Sequence, residues 1–248
     1  MKILVCISSV PDTTSKINFT ADKSAFDKNG IQWVINPLDE FALTKAIKLQ
    51  ESQGATVTVV NVGDAGTEAV IRKALAIGAN DAVRVNAEAK DSFSVAKEIG
   101  KVAQDGGYDL ILTGKESIDY NGGAVPGMVA QLLNIPFVNA SVGLEVNGSE
   151  ATAVREIEGG KETISVKLPA VVAGQKGLVD EKDLIIPNMR GIMSARTKAL
   201  NVLEPSNSEV KVEAVSFDSV APRAAVKLVS ADNLDELVRL LHEEAKVI

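Results

Sequence analysis

Cysteine and histidine are nearly absent from this chain, and their scarcity excludes several kinds of site. Cys6 is the single cysteine and His242 the single histidine among 248 residues. One cysteine rules out an internal disulfide, and one of each cannot form a Cys/His zinc site or hold an iron–sulfur cluster within this chain alone. Cys6 lies in an apolar run, which favours a buried core thiol, and His242 lies in a helical pattern, which favours a solvated position.

Long apolar runs and an excess of basic residues are absent as well. No run approaches the ~20 residues that a membrane-spanning helix needs. Residues Met1 to Ile7 lack a small-residue cleavage site, and the sequence turns polar at Ser8, so we expect a first strand rather than a secretion signal. The net charge of -7 argues against nucleic-acid binding, which needs clustered Lys and Arg. We therefore expect a cytoplasmic protein with a hydrophobic core.

The first half of the chain alternates between strand and helix patterns. Runs rich in Val, Ile and Leu predict strands covered on both faces. These runs are Lys2–Ser8, Ala55–Val62, Asp81–Asn86 and Tyr108–Thr113. Helical patterns separate them, at Leu38–Gln53, Thr67–Gly78 and Phe93–Asp105. Such alternation predicts a parallel sheet with right-handed crossovers.

The helix after Asn36 has clear start signals. Asn36 is a suitable N-cap, and Pro37 fits the first helical position. Asp39 and Glu40 suit the positive end of the helix dipole.

After Pro136 the pattern changes to the strict alternation of antiparallel strands. We predict these strands at Val142–Val146, Ala151–Glu156 and Glu162–Lys167, followed by a buried strand at Pro169–Ala173. From Gly174 to about Pro222 we expect irregular structure. The chain then predicts a helix start at Ser230 to Asp232 and a helix from Leu234 to Ala245.

A ligand of an open parallel sheet binds beyond the carboxyl ends of the strands. The candidate loops are Cys6–Ser9, Gly63–Gly66 and, above all, the loop from Gly114 to Val125. That loop reads Gly114-Lys115-Glu116-Ser117-Ile118-Asp119-Tyr120-Asn121-Gly122-Gly123-Ala124-Val125. A glycine-bearing loop before a helix, here predicted at Val125–Leu133, offers backbone N–H groups to a phosphate. An ordinary strand-to-helix turn explains the spacing equally well.

The standard catalytic and nucleotide-binding fingerprints are missing. The sequence contains no G-x-G-x-x-G after a strand, no G-x-x-x-x-G-K-[ST] and no G-x-S-x-G. Glu116 and Asp119 are an acid–base pair on one interpretation and solvated loop charges on the other. The residues alone therefore indicate a nucleotide-binding or phosphate-binding α/β protein without visible catalytic machinery.

Four segments, taken together, resemble the electron transfer flavoprotein beta subunit. The first three are Val10-Pro11-Asp12-Thr13, Asn36-Pro37-Leu38-Asp39-Glu40-Phe41-Ala42 and Gly114–Asp119 with Lys115. The fourth comprises Arg155–Glu162, Leu168–Val172, Gly191-Ile192-Met193 and Ala195-Arg196. Their order and spacing cover nearly the whole chain.

The resemblance implies an α/β protein with a doubly wound, mostly parallel sheet of the adenine nucleotide alpha hydrolase-like type. A C-terminal antiparallel extension and arm would follow the sheet. Residues 1–190 would form the nucleotide-binding domain. Residues 191–248 would supply a recognition helix and an arm contacting the larger alpha subunit.

The resemblance also implies cofactors and partners. One FAD would lie at the subunit interface, held mostly by alpha, and one structural AMP would lie in this chain. The AMP would be held by Cys6, Asn36, Pro37, Leu38, Asp39, Val59 and the loop Gly114–Val125. Electrons would pass from acyl-CoA dehydrogenases to a membrane quinone oxidoreductase, and this subunit would have no catalytic residues of its own.

Two departures from the family pattern bear on these expectations. Where many members carry Gln-x-Gly-Pro, this chain has Ala124-Val125-Pro126-Gly127. In place of the usual Pro-Arg-Tyr segment it has Leu184 to Asn188. Electron-bifurcating members bind a second FAD in place of AMP, and we favour AMP because ordinary electron carriers are the commoner kind.

The family's recognition loop docks redox partners through one exposed apolar side chain, which falls on Met189 here. Arg190, Ile192 and Met193 lie beside it, and Arg190, Arg196 and Lys198 would steer an acidic partner. A buried methionine in an irregular loop is the alternative.

Two further interpretations of the whole chain stay open. One is a small α/β enzyme acting on an adenine nucleotide, although Ser8-Ser9-Val10-Pro11-Asp12 lacks the glycines of its phosphate loop. The other is a homodimeric nucleotide sensor.

Overall fold

The computed structural model describes residues 1–206, 208–223 and 225–248, and these form two compact units. The first unit comprises Met1–Ile17 and Lys28–Val215, and the second comprises Asn18–Asp27 and Ser216–Ile248.

A nine-stranded sheet is the centre of the first unit, in the order β11-β5-β4-β1-β6-β10-β7-β8-β9. Neighbouring strands are parallel from β11 to β7 in this order, whereas β8 is antiparallel to both of its neighbours, β7 and β9. In chain order the strands of the unit are β1 (Lys2–Cys6), β2 (Ser9–Pro11), β3 (Trp33–Ile35), β4 (Thr56–Val62), β5 (Asp81–Val85), β6 (Leu110–Gly114), β7 (Phe137–Asn147), β8 (Glu150–Ile157), β9 (Gly160–Lys167), β10 (Ala170–Gly174) and β11 (Leu200–Leu203). Strands β2 and β3 form a separate antiparallel pair outside the nine-stranded sheet. The predicted α/β class with a mostly parallel sheet is confirmed.

Helices cover both faces of this sheet. They are α1 (Pro37–Gln53), α2 (Glu68–Ile77), α3 (Ser92–Gly106), α4 (Val125–Leu133) and the short α5 (Met189–Ala195). Buried residues of α1 and α2 share one core with Ile3 and Val5, and those of α3 and α4 share another with Leu4 and Cys6. Alternate residues of β1 therefore enter opposite cores, as strand geometry requires. Each buried Val, Leu or Ile contributes roughly 1.5–3 kcal/mol to folding.

The strand order reverses between β1 and β6. The chain passes from β1 to β4 on one side, and from β6 to β10 on the other. The carboxyl ends of β1 and β6 thus flank a topological switch point, where ligands of such sheets bind.

The region from Gly174 to Pro222 is less irregular than we predicted. Helix α5 packs on α2, with Gly191 so close to the Ala76 carbonyl oxygen that an added Cβ would lie 2.4 Å from it. Strand β11 pairs with the edge strand β5. The prediction was wrong here because a seven-residue helix and a four-residue strand are too short to show a period, and both depend on tertiary partners.

The second unit joins two segments that are distant in sequence. The rings of Phe19 and Phe217 stack with centroids 5.2 Å apart, and Lys23 pairs with Asp218 at 2.6 Å. Helix α6 (Leu234–Arg239) continues into a π-helical turn, Leu240–Glu244. Its N-cap is Asn233, whose side chain accepts a hydrogen bond from the Glu236 amide, so the predicted start at Ser230 to Asp232 was slightly early.

Candidate functional site

Asp39 connects the two strand ends at the switch point. It lies in the first turn of α1 and is 4% exposed. One carboxylate oxygen accepts a hydrogen bond from the Ser8 amide at 2.8 Å, and the other accepts one from the Gly114 amide at 2.8 Å. Asp39 therefore holds the chain after β1 against the end of β6, beyond the dipole role that the sequence suggested.

The environment of Asp39 disfavours its charge. Burial raises the pKa of this carboxyl to about 7, although hydrogen bonds from Ser8, Gly114 and Asn36 act in the opposite direction. The negative charge of Asp119 adds a smaller contribution in the same direction as burial.

Asn36 has a different role from the predicted helix cap. It occupies the N-cap position of α1, but its side chain makes no capping hydrogen bond. The fully buried amide instead donates to the Glu116 carbonyl at 2.9 Å and accepts from the Ile118 amide at 3.3 Å. Asn36 thus holds the loop after β6, because a buried polar side chain takes partners wherever the fold supplies them.

Gly114 allows the loop to start close to α1. A Cβ at Gly114 would lie 2.5 Å from the Asp39 carboxylate and 2.8 Å from the Leu38 side chain. Any larger residue would push β6 away from α1. The structure therefore brings Asn36, Pro37, Leu38 and Asp39 together with Gly114.

The rest of the predicted loop folds into a small hairpin. Ser117 and Gly122 exchange two backbone hydrogen bonds, and the Asp119 carboxylate accepts from the Ser117 hydroxyl at 2.5 Å and the Tyr120 amide at 2.9 Å. Asn121 adopts the left-handed conformation with φ 50°, which Asn tolerates better than most residues. The Tyr120 side chain at the tip is 74% exposed.

Helix α4 begins where this hairpin ends. Its N-cap, Ala124, provides no side-chain acceptor for the first amides of the helix. Gly122 has open space where a Cβ would stand. An uncapped helix N-terminus beside accessible glycine backbone fits a phosphate group.

Two further predicted residues, Cys6 and Val59, lie within strands of the sheet. Cys6 ends β1 and is buried, and burial followed by the nearby Asp39 carboxylate raises the pKa of its thiol. Val59 lies in the middle of β4, opposite Val5, and is fully buried. It therefore offers no surface at the carboxyl edge.

Asn61 is the residue of this edge that sequence reasoning missed. Its buried amide donates to the Ile7 carbonyl at 2.9 Å and ties the end of β4 to the end of β1. The sequence did contain a signal for this role, because Asn61 is an amide side chain within the mostly apolar run Val57–Val62, and a buried amide needs a hydrogen-bond partner.

The predicted docking residues lie on or beside α5. Asn188 caps this helix by accepting a hydrogen bond from the Gly191 amide at 2.8 Å. The Met189 side chain is 73% exposed, Met193 56% and Ile192 40%, and Arg190 is exposed. Together they form an apolar surface patch with a cationic neighbour.

Lys198 serves the fold in addition to any steering role. Its ammonium donates to the carbonyls of Leu75 and Ala79, at 2.9 and 2.6 Å, at the C-terminal end of α2. Burial lowers the pKa of this lysine. Arg190 in α5 and Arg196 at its C-cap remain for the steering role, and Lys198 secures the chain after α5.

Neither the 1–206 stretch nor the two later ones contains three or more His, Cys, Asp or Glu side chains grouped to hold a metal ion. Among the helices described above, none has the length and apolar character needed to cross a membrane.

The fold is that of a doubly wound α/β protein, with an uncapped helix start and a glycine-bearing loop at the switch point where such proteins bind ligands. Residues 24–208 match the family model described as the electron transfer flavoprotein domain. The chain belongs to the electron transfer flavoprotein family.

Curated relatives cover the chain from end to end. Electron transfer flavoprotein subunit beta of Bacillus subtilis is 36% identical over 262 aligned residues, covering all of both chains. The subunit beta of Homo sapiens is 30% identical, covering 100% of this chain and 99% of its own. The subunit beta of Syntrophomonas wolfei is 34% identical over 91% of this chain and 88% of its own. The family predicted from the four sequence segments is confirmed.

Proposed function

We propose that this chain is the beta subunit of a heterodimeric electron transfer flavoprotein and that it binds one AMP as a structural nucleotide. The larger alpha subunit would be its obligate partner and would hold most of an FAD at the interface. The heterodimer would work in the cytoplasm as an electron carrier, without catalytic residues in this chain.

The convergence of α1 and the Gly114–Val125 loop at the switch point carries the proposal. Asn36 fixes the loop through Glu116 and Ile118, and Asp39 fixes Gly114 to the end of β1. These hydrogen bonds hold the loop that leads into the uncapped start of α4. Sites at a switch point are typical of nucleotide binding in doubly wound folds.

The charges of the site favour different positions for the phosphate and for the neutral part of the nucleotide. The phosphate would approach the α4 N-terminus, because the first amides of this helix have no side-chain cap. The neutral part of the nucleotide would lie nearer Asp39 and the end of β1. When bound at the interface, FAD supplies the one- and two-electron redox chemistry, and this chain supplies binding and orientation.

Electron exchange would use the α5 surface. Met189, Ile192 and Met193 would contact an acyl-CoA dehydrogenase or a similar flavoprotein donor, with Arg190 favouring an acidic partner. A membrane quinone oxidoreductase would accept the electrons. The exposed methionines suit a surface that has to fit more than one partner.

Affinity purification of a tagged copy from its own cells tests this proposal. We expect a stoichiometric larger subunit and a bound flavin with its yellow absorbance. Recovery as a homodimer or monomer without flavin would contradict the proposal and favour a nucleotide sensor. Turnover of an adenine nucleotide by the purified chain would favour a small α/β enzyme.

A further inference from the structure

Two carboxylates of helix α3 hold the segment that follows β11. We name Ser206 and residues 208–212 the latch segment. Glu98 binds its beginning and Asp91 binds its end. These two acids are seven residues apart, or about 10 Å along a helix, so the latch segment runs toward the N-terminal end of α3.

Glu98 is an acid on the buried face of α3, 4% exposed. Its carboxylate accepts the Ser206 amide at 3.0 Å, the Ser206 hydroxyl at 2.7 Å and the Ser208 hydroxyl at 2.9 Å. Burial alone would raise the pKa of Glu98, but the hydrogen bonds from the two serines outweigh burial and hold the pKa below its ordinary value. Without these donors, α3 would carry an uncompensated buried charge.

Asp91 holds the other end of the latch segment. One oxygen caps α3 by accepting the Ser94 amide at 2.8 Å. The second oxygen accepts the backbone amides of Lys211 and Val212 at 2.7 and 3.0 Å. Hydrogen bonds from Ser94, followed by those from Lys211 and Val212, lower the pKa of Asp91 to about 2. The Lys211 ammonium also lies 5.7 Å from the centre of the Phe93 ring.

The chain beyond the latch segment exposes apolar side chains that its own fold does not cover. Val215 is 89% exposed, Val220 94%, Val226 86% and Leu228 90%. Exposed apolar side chains that recur along one segment are typical of a protein-interaction surface. In a two-subunit carrier, the partner that this arm would cover is the larger subunit.

We propose that Glu98 and Asp91 are positioning residues for heterodimer assembly. They fix the latch segment in the free chain, so less ordering entropy is lost when the larger subunit binds. This inference rests on the proposed function and adds to it, since it assigns an assembly role to two acids that are not part of the proposed nucleotide site.

Glu98→Gln tests the proposal in the full-length chain. The substitution keeps the shape but replaces one acceptor oxygen with an NH2 group facing the Ser206 amide. We expect backbone hydrogen exchange at Ser206 and residues 208–212 to become faster, and the dissociation constant for the larger subunit to rise about tenfold. Ser206→Ala with Ser208→Ala should reproduce this rise, and adding Glu98→Gln to that pair should add little.

Glu51 is an exposed glutamate on α1, and Glu51→Gln is the matched control. It should change neither the hydrogen exchange of the latch segment nor the dissociation constant for the larger subunit. Unchanged exchange in Glu98→Gln would overturn the latch, and faster exchange with unchanged assembly would overturn its assembly role. Effects that add fully between Glu98 and the serines would also overturn it, because they would indicate general destabilisation. Failure of the proposed function would be visible separately, since the unmodified chain itself would then capture no flavin-carrying subunit.

Discussion

The side-chain amide of Asn36 donates to the carbonyl of Glu116, 2.9 Å away and 80 residues later in the chain. This hydrogen bond joins the start of α1 to the loop after β6. It makes the position of the loop depend on one buried side chain.

Asn36→Ala should therefore empty the nucleotide site. The substitution leaves the Glu116 carbonyl and the Ile118 amide without their partner, which costs about 1–3 kcal/mol. We expect nucleotide affinity to fall roughly 5- to 100-fold, measured as nucleotide retained per chain after dialysis. Asn201→Ala, on the exposed edge strand β11, should retain full content. Equal content in both variants would show that Asn36 does not organise the site.

Asp39 should give the protein a distinctive dependence of stability on pH. Burial raises its pKa to about 7 from an ordinary value of 3.8. Between these values the folded protein keeps a proton that the unfolded chain releases. This group's contribution is therefore greatest below about pH 4, and it declines as pH rises to 7, by at most about 1.4 kcal/mol per pH unit.

Asp39→Asn removes this titration. Urea unfolding at pH 5 and pH 7.5 should show that the native chain loses free energy of unfolding relative to Asp39→Asn as the pH rises. Asp232→Asn, an exposed acid in the second unit, should follow the native chain. A native chain that gains stability relative to Asp39→Asn would mean that the hydrogen bonds from Ser8 and Gly114 outweigh burial.

The parallel part of the fold was predictable because each strand and helix there is long enough to show its own period. The run Lys2–Ser8 and the pattern Leu38–Gln53 both correspond closely to observed elements. Residue periodicity did not reveal helix α5 or strand β11, because their stability comes from α2 and β5, and a recognition helix was expected from the family resemblance alone. Local sequence cannot report a partner that lies more than a hundred residues away.

The candidate site shows the same division between local and distant signals. Pro37 and the glycines of the Gly114–Val125 loop were visible as local signals. The hydrogen bonds that Asn36 makes were not visible in the sequence. The same side chain can cap a helix or hold a remote loop, and the choice depends on which groups, distant in sequence, the fold brings close to it. Asn61 went unnoticed for a similar reason, since its partner is the carbonyl of Ile7, just after β1.

Met189→Ala tests the proposed docking surface. The side chain is 73% exposed, so its removal should leave thermal stability nearly unchanged. Truncating a central interface residue typically costs ~2 kcal/mol, and electron transfer from an acyl-CoA dehydrogenase should therefore slow about 30-fold at low carrier concentration. Leu132→Ala, 45% exposed on α4, is the control. Lower stability with unchanged kinetics per folded molecule would show that Met189 serves the core.

Deletion of Ser230–Ile248 tests the role of the C-terminal arm. The deleted segment includes Leu234, Leu237 and Val238, which are 65%, 40% and 55% exposed. We expect weaker heterodimer formation and loosened FAD on size-exclusion chromatography, because these side chains would lose contacts with the larger subunit. The first unit ends at Val215 and should keep its fold by circular dichroism. Assembly at the native elution volume with full flavin would instead indicate that this tail packs on its own chain.

The most direct test of the central claim is the identity of the nucleotide in this subunit. The purified heterodimer is denatured, and the released small molecules are counted per chain by mass spectrometry. We predict one AMP and one FAD per heterodimer, with AMP lost selectively in Asn36→Ala. Two FAD and no AMP would contradict the structural-AMP assignment and indicate the electron-bifurcating type. Release of no adenine nucleotide attributable to this chain would contradict the nucleotide site itself.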